Sequence, residues 1–129
     1  MAYEIEADAL ANRLYIDLSG RMDAEEIDEA ADVTLEKAKT LDEGFDIVTD
    51  LSGFKPSSPE AAKPIERAQA TLEEMGIDRV VWVTDAETSQ VVVNAFERRS
   101  RDVGYSGETA DSVDDADRLL DEHEITGYA

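Results

Sequence analysis

Cysteine is absent from the 129 residues, and histidine occurs once, at His123. The first absence excludes disulfides, thiolate metal sites and a cysteine nucleophile. The second excludes a multi-histidine metal site within one chain. No metal and no cofactor are therefore expected. Long apolar runs are lacking too, none approaching the roughly 18 residues that a membrane span needs. The opening Met1 to Glu6 has neither the basic nor the apolar part of a signal peptide. The expectation is a cytoplasmic protein with no membrane insertion.

Positive charge is the scarcest commodity. Twelve Lys and Arg face 32 Asp and Glu, for a formal net charge of -20. Lysine is confined to Lys37, Lys39, Lys55 and Lys63. Self-repulsion at this level destabilises a compact chain in dilute buffer. At molar salt the Debye length falls to about 3 Å, and the repulsion is screened. Surface carboxylates meanwhile hold water and ions. The composition suits a halophile's cytoplasm. It argues against nucleic acid as a partner, because the overall field opposes phosphate. An acidic disordered chain is excluded by the 42% apolar content and its clear periodicity.

The pattern along the chain is that of one α/β domain. Tyr3 to Ala7 alternates like a half-buried strand, and Asn12-Arg13 turns into a second strand, Leu14 to Leu18, closed by Ser19-Gly20. Asp23 and Glu26 have capping-box spacing, and Ile27, Ala30, Ala31, Leu35 and Ala38 then share one helical face. Phe45 to Asp50 reads as a buried strand and Leu51 to Ser58 as loop. Ser58-Pro59 suits a helix start. Pro64 demands either a kink or a regular helix beginning near Lys63. Ile65, Ala68, Leu72 and Met75 supply that helix's buried stripe, up to Gly76.

Arg79 to Thr84 is almost continuously apolar, as in a parallel strand covered on both faces, with Trp82 in the core. Ser89 to Val103 is a third helix, with Val92, Ala95 and Phe96 inward. A short edge strand fits within Tyr105 to Ser112, and Ser112 caps a last helix carrying Ala116, Leu119 and Leu120. The expected fold is a mixed, mainly parallel sheet of four or five strands with about four helices, over residues 1–121. Residues 122–129 are expected to form a loose tail.

The element order resembles the STAS domain shared by anti-sigma-factor antagonists and the cytoplasmic ends of sulfate transporters. Three stretches carry the resemblance: Leu14 to Asp23 with its Ser19-Gly20, Ile47 to Gly53 with its trailing Asp50-Leu51-Ser52-Gly53, and Leu72 to Thr84. It implies a non-enzymatic regulatory module with a protein partner. It also implies a switch serine after the central strand, for which Ser57 and Ser58 are the counterparts here. Two departures stand out. Lys55-Pro56-Ser57-Ser58-Pro59 replaces an Asp-Ser-Ser-Gly-like sequence, and Pro59 removes an amide that an anion would use.

Ser57 and Ser58 have a physical case of their own, since a helix start offers free amides and partial positive charge to phosphate or another anion. Capping is the plainer role for Ser58. Arg98, Arg99 and Arg101 form the one basic cluster. They either offset neighbouring carboxylates and the helix dipole or, with Gly53, Phe54 and Lys55, form an interaction surface. Asp50 and Thr84 end adjacent strands, where ligand crevices open in α/β sheets. Asp50 equally caps its own turn. No set of residues fills nucleophile, base and oxyanion roles, so no catalytic residue is assigned. His123 is expected in solvent. The leading expectation is protein recognition around Gly53 to Ser58. The alternative is a sensor or carrier of a small ligand (nucleotide, lipid or anion) beside Asp50, Phe54 and Thr84. Oligomeric state is left open.

Overall fold

Alternation of side chains along three neighbouring strands decides which helices cover which face. The computed structural model describes residues 3–58, 60–85, 88, 90–104 and 107–126, with side chains described as far as Asp121. Its main strands are β1 (Tyr3–Asp8), β2 (Arg13–Leu18), β4 (Asp46–Asp50), β6 (Val80–Val83) and β7 (Glu108–Ala110), and a small pair is made by β3 (Gly20–Met22) and β5 (Phe54–Pro56). The helices are α1 (Ala24–Ala38), α2 (Lys63–Glu74), α3 (Gln90–Val103) and α4 (Val113–Thr126). The main sheet runs β1-β2-β4-β6-β7. Its first pair is antiparallel and the three others are parallel.

Leu14, Leu18, Ile47, Val80 and Trp82 point to one face, where they meet Ile27 and Ala30 of α1, Ile65 and Leu72 of α2, and Val92 and Phe96 of α3. Val48, Val81 and Val83 point to the other, against Ala116 and Leu120 of α4. β6 is buried along its whole length, as expected for a strand covered on both sides. The α1 start is the expected capping box: Glu26 N donates to Asp23 Oδ1 at 2.9 Å, and Asp23 N donates back to Glu26 Oε1 at 3.3 Å. Thr34 replaces Leu35 on the fully buried stripe, and Leu35 is only half-buried.

Three expectations need correction or a choice between alternatives. Ser19-Gly20 does not simply close β2, and Phe54 to Pro56 is not loop: the two segments pair in parallel, Gly20 opposite Phe54 and Met22 opposite Pro56. The cause is symmetry of placement. β2 and β4 are parallel neighbours, with Asp17 opposite Asp50. Each is followed by a Ser-Gly whose glycine takes positive φ, 70° at Gly20 and 77° at Gly53. The two exits therefore bend alike and stay side by side, joined by Gly20 N donating to Gly53 O at 3.0 Å. Secondly, of the two alternatives expected at Pro64, the regular helix beginning near Lys63 is the one observed. A 3-10 turn at Glu60–Ala62 comes first and α2 begins at Lys63, which puts Pro64 in the first turn, where its missing N–H costs nothing. Thirdly, α4 continues to Thr126, beyond the expected tail boundary at 121. No glycine or proline interrupts the sequence before Gly127, so nothing in it stops the helix earlier.

Candidate functional site

Two segments far apart in sequence meet in one groove. One wall is Phe54 to Ser58 with Ala62, Lys63 and Glu66; the other is α3, through Val91, Val92, Asn94, Ala95, Phe96, Arg98 and Arg99. The groove has a volume of about 940 Å³. Its floor is aromatic: Phe54 meets Phe96 edge-on at 6.3 Å between ring centroids, and Phe96 meets Trp82 likewise at 6.4 Å. Such pairs contribute roughly 0.5–1.5 kcal/mol each beyond area burial. The floor is thus anchored in the central strand.

Four of the twelve basic side chains line this groove: Lys55, Lys63, Arg98 and Arg99. Glu66 is the one carboxylate among the described lining residues, whose formal balance is four minus one, or +3. Arg99 is the unusual member. It is 9% exposed, its guanidinium carbon lies 5.3 Å from the Phe96 ring centroid, and its Nη1 has no hydrogen-bond partner among the described residues. Burial, then the neighbouring Arg98 charge, push its pKa down; Glu66 opposes them through charge alone.

The two serines are tied into the backbone. Ser58 Oγ accepts from Ala61 N at 3.1 Å, capping the 3-10 turn, and Ser57 N donates to Met22 O at 2.8 Å. The capping role expected for Ser58 is therefore present. Ser57 is half-buried, Ser58 is exposed, and both line the groove.

The expected surface is only partly assembled. Lys55 and Arg98 are exposed and both line the groove. Phe54 is not a surface residue: at 2% exposure its ring is core, because the β3–β5 pairing turns it inward. Arg99 is buried rather than displayed. Gly53 serves as a turn, and Arg101 is exposed on the next turn of α3, outside the groove lining. Of the three residues expected to share a crevice, Asp50 and Phe54 lie on opposite faces of the sheet. Asp50 points to the α4 side and receives Ser52 N at 2.9 Å, whereas Phe54 belongs to the opposite core. The side chain of His123 lies outside the described residues.

Sequence reasoning missed Lys63, Glu66 and Val91. The signals were there: Lys63 and Glu66 are one turn apart on α2, and Val91, Ala95 and Arg98 recur at helical spacing on α3. Val91 is 77% exposed, a large apolar side chain at the groove mouth. A separate apolar cavity of about 60 Å³ lies between the sheet and helices α1 and α2. Among the described residues, no helix is long and apolar enough to cross a membrane, and no group of three acids or histidines is placed to hold a metal.

A scan against protein-family models finds no match, and a search of curated proteins finds none either.

Proposed function

We propose that this domain is a non-enzymatic regulatory module of STAS type that recognises an acidic segment of a protein partner through the groove between the Phe54–Glu66 stretch and α3. One observation carries the reading: four cations converge on an apolar-floored groove in a chain of net charge -20. Stray arginines and lysines on so acidic a surface would be expected to pair with the nearest carboxylate. Here one carboxylate, Glu66, faces four cations. Under molar salt, with a Debye length of about 3 Å, the distant negative charge is screened and the local +3 decides what binds. The aromatic floor and exposed Val91 supply the apolar contact that recognition surfaces use.

The STAS assignment draws support from the element order, with an antiparallel first pair leading into a parallel sheet. Ser57 and Ser58 then become the regulatory positions. A phosphoryl group on either would enter the same groove and compete with an acidic partner for its cations.

The test is site-specific photo-crosslinking in lysate of its own cells, in molar salt. A crosslinker at Val91 should give a discrete adduct that Lys55→Glu with Arg98→Glu removes, while one at the fully exposed Leu10 gives none. Equal labelling at both positions, or no adduct at Val91, overturns the reading. Mass spectrometry of the same material reports phosphate on Ser57 or Ser58.

A further inference from the structure

Arg99 poses a problem that its neighbours leave unsolved. A buried cation loses several kcal/mol of hydration, and proteins usually return it through hydrogen bonds and an opposed carboxylate. Arg99 Nη1 has no partner among the described residues, and Glu66 acts on the guanidinium by charge, with no hydrogen bond between the two. Sequence neighbours make matters worse, since Arg98 adds a like charge. The guanidinium is nonetheless held: it lies against the Phe96 ring, which is itself fixed between Phe54 and Trp82. A planar fork held in place and contributing to the wall of the groove, with Nη1 itself sealed from solvent, is preorganised for an oxyanion.

We infer that the groove is a binding site for a phosphate monoester, with the phosphoryl group on Arg99, Arg98 and Lys63 and the ester's apolar body on the Val91–Phe96 floor. This rests on reading the groove as a recognition surface and names the chemistry it recognises best. The charge count selects a dianion over a monoanion, because a local +3 is matched better by a phosphate monoester than by a carboxylate or sulfate ester. The apolar floor selects an ester over inorganic phosphate, which has nothing to place on Val92, Ala95 and Phe96. A free metabolite and a phosphorylated protein side chain share this phosphoryl chemistry.

Calorimetry on the full chain in molar potassium chloride tests this with phenyl phosphate, phenyl sulfate and inorganic phosphate. Phenyl phosphate should bind saturably with one site, roughly tenfold tighter than either of the others, the equivalent of one charge-assisted hydrogen bond. Arg99→Met should abolish binding and raise the thermal midpoint, since it removes an unpaired buried charge; a merely structural arginine would lower it. Arg98→Ala and Lys63→Ala, both on the groove rim, should each weaken binding severalfold with the midpoint unchanged. Absence of saturable phenyl phosphate binding, equal affinity for the three probes, or binding that survives Arg99→Met overturns the inference. Crosslinking at Val91 that persists alongside such a failure leaves the partner reading standing, so the two fail separately.

Discussion

Arg13 Nη1 donates to Asp117 Oδ1 at 2.9 Å, joining β2 to α4 across 104 positions of sequence. The same guanidinium reaches Asp121 through Nη2 at 3.1 Å, and Tyr15 donates to Asp117 at 2.7 Å. Burial works against the Arg13 charge, yet the hydrogen bonds with Tyr15, Asp121 and Asp117 outweigh it and its pKa ends up raised. This cluster fastens α4 to β2 beside its apolar contacts through Ala116 and Leu120.

Removing Arg13 should therefore loosen α4 before the rest of the fold. Arg13→Met removes the cation that Asp46, Asp117 and Asp121 share. The expected cost is about 2–3 kcal/mol, below the roughly 3–5 of a fully buried pair because Asp117 and Asp121 keep some solvent. Urea unfolding gives the magnitude, and amide exchange gives the place, with α4 losing protection first. A loss under about 0.5 kcal/mol, typical of an exposed pair, would count against the anchoring role.

Asp46, on the same cluster, sets a pH dependence. Burial raises its carboxyl pKa above the ordinary aspartate value, against the lowering effects of the Arg79 amide and the Arg13 charge. A raised native pKa means that the folded chain binds more protons than the unfolded one. The stabilising contribution is complete below the unfolded value of about 3.9 and is lost as pH rises through the native value. Urea midpoints taken in molar salt, where global repulsion is muted, should fall as pH rises across that window. Asp46→Asn should flatten the slope while keeping an oxygen for Arg79 N, which now donates to Asp46 Oδ1 at 3.2 Å. A slope of opposite sign refutes the assignment.

Much of the scaffold was legible because periodicity and caps are local. The alternating Tyr15, Val48 and Val81 against Ile16, Ile47 and Trp82 gave the two-faced sheet, and Asp23 with Glu26 gave the start of α1. The β3–β5 pairing was not legible, since Gly20 and Phe54 meet only after β2 and β4 have paired. The groove failed for the same reason. Lys55 and Arg98 were conspicuous as scarce cations and Ser57 by its position after the central strand, but which arginine would be buried depended on how α3 rotates to seat Phe96. Arg99 follows Arg98 by one residue, and about 100° of helical turn separates an exposed charge from an enclosed one.

The charge of -20 makes salt part of the fold. Raising potassium chloride from about 0.1 M to 1 M shortens the Debye length from about 10 Å to 3 Å. The thermal midpoint should climb throughout that range. Screening rather than general solvation is identified by comparing denaturants in low salt: dilute guanidinium chloride should raise the midpoint while urea lowers it from the first addition. A midpoint indifferent to salt would remove the case for adaptation to high salt.

Gly107 gives the sharpest steric prediction. A Cβ built there would sit 2.9 Å from both Cη2 and Cζ3 of Trp82, closer than carbon atoms pack. The ring is 1% exposed and met edge-on by Phe96. Gly107→Ala should cost roughly 1–3 kcal/mol as overpacking and should disturb the β6–β7 edge beside it. Trp82 is the only tryptophan, so its emission reports the displacement directly. Gly53→Ala is the matched control: nothing lies within 4 Å of its Cβ, and only the positive φ is strained. It should cost about 1–2 kcal/mol without moving the tryptophan spectrum. Should Gly107→Ala leave both stability and emission unchanged, the close approach of β7 to Trp82 is wrong, and with it the aromatic stack that seats Phe96 under the groove.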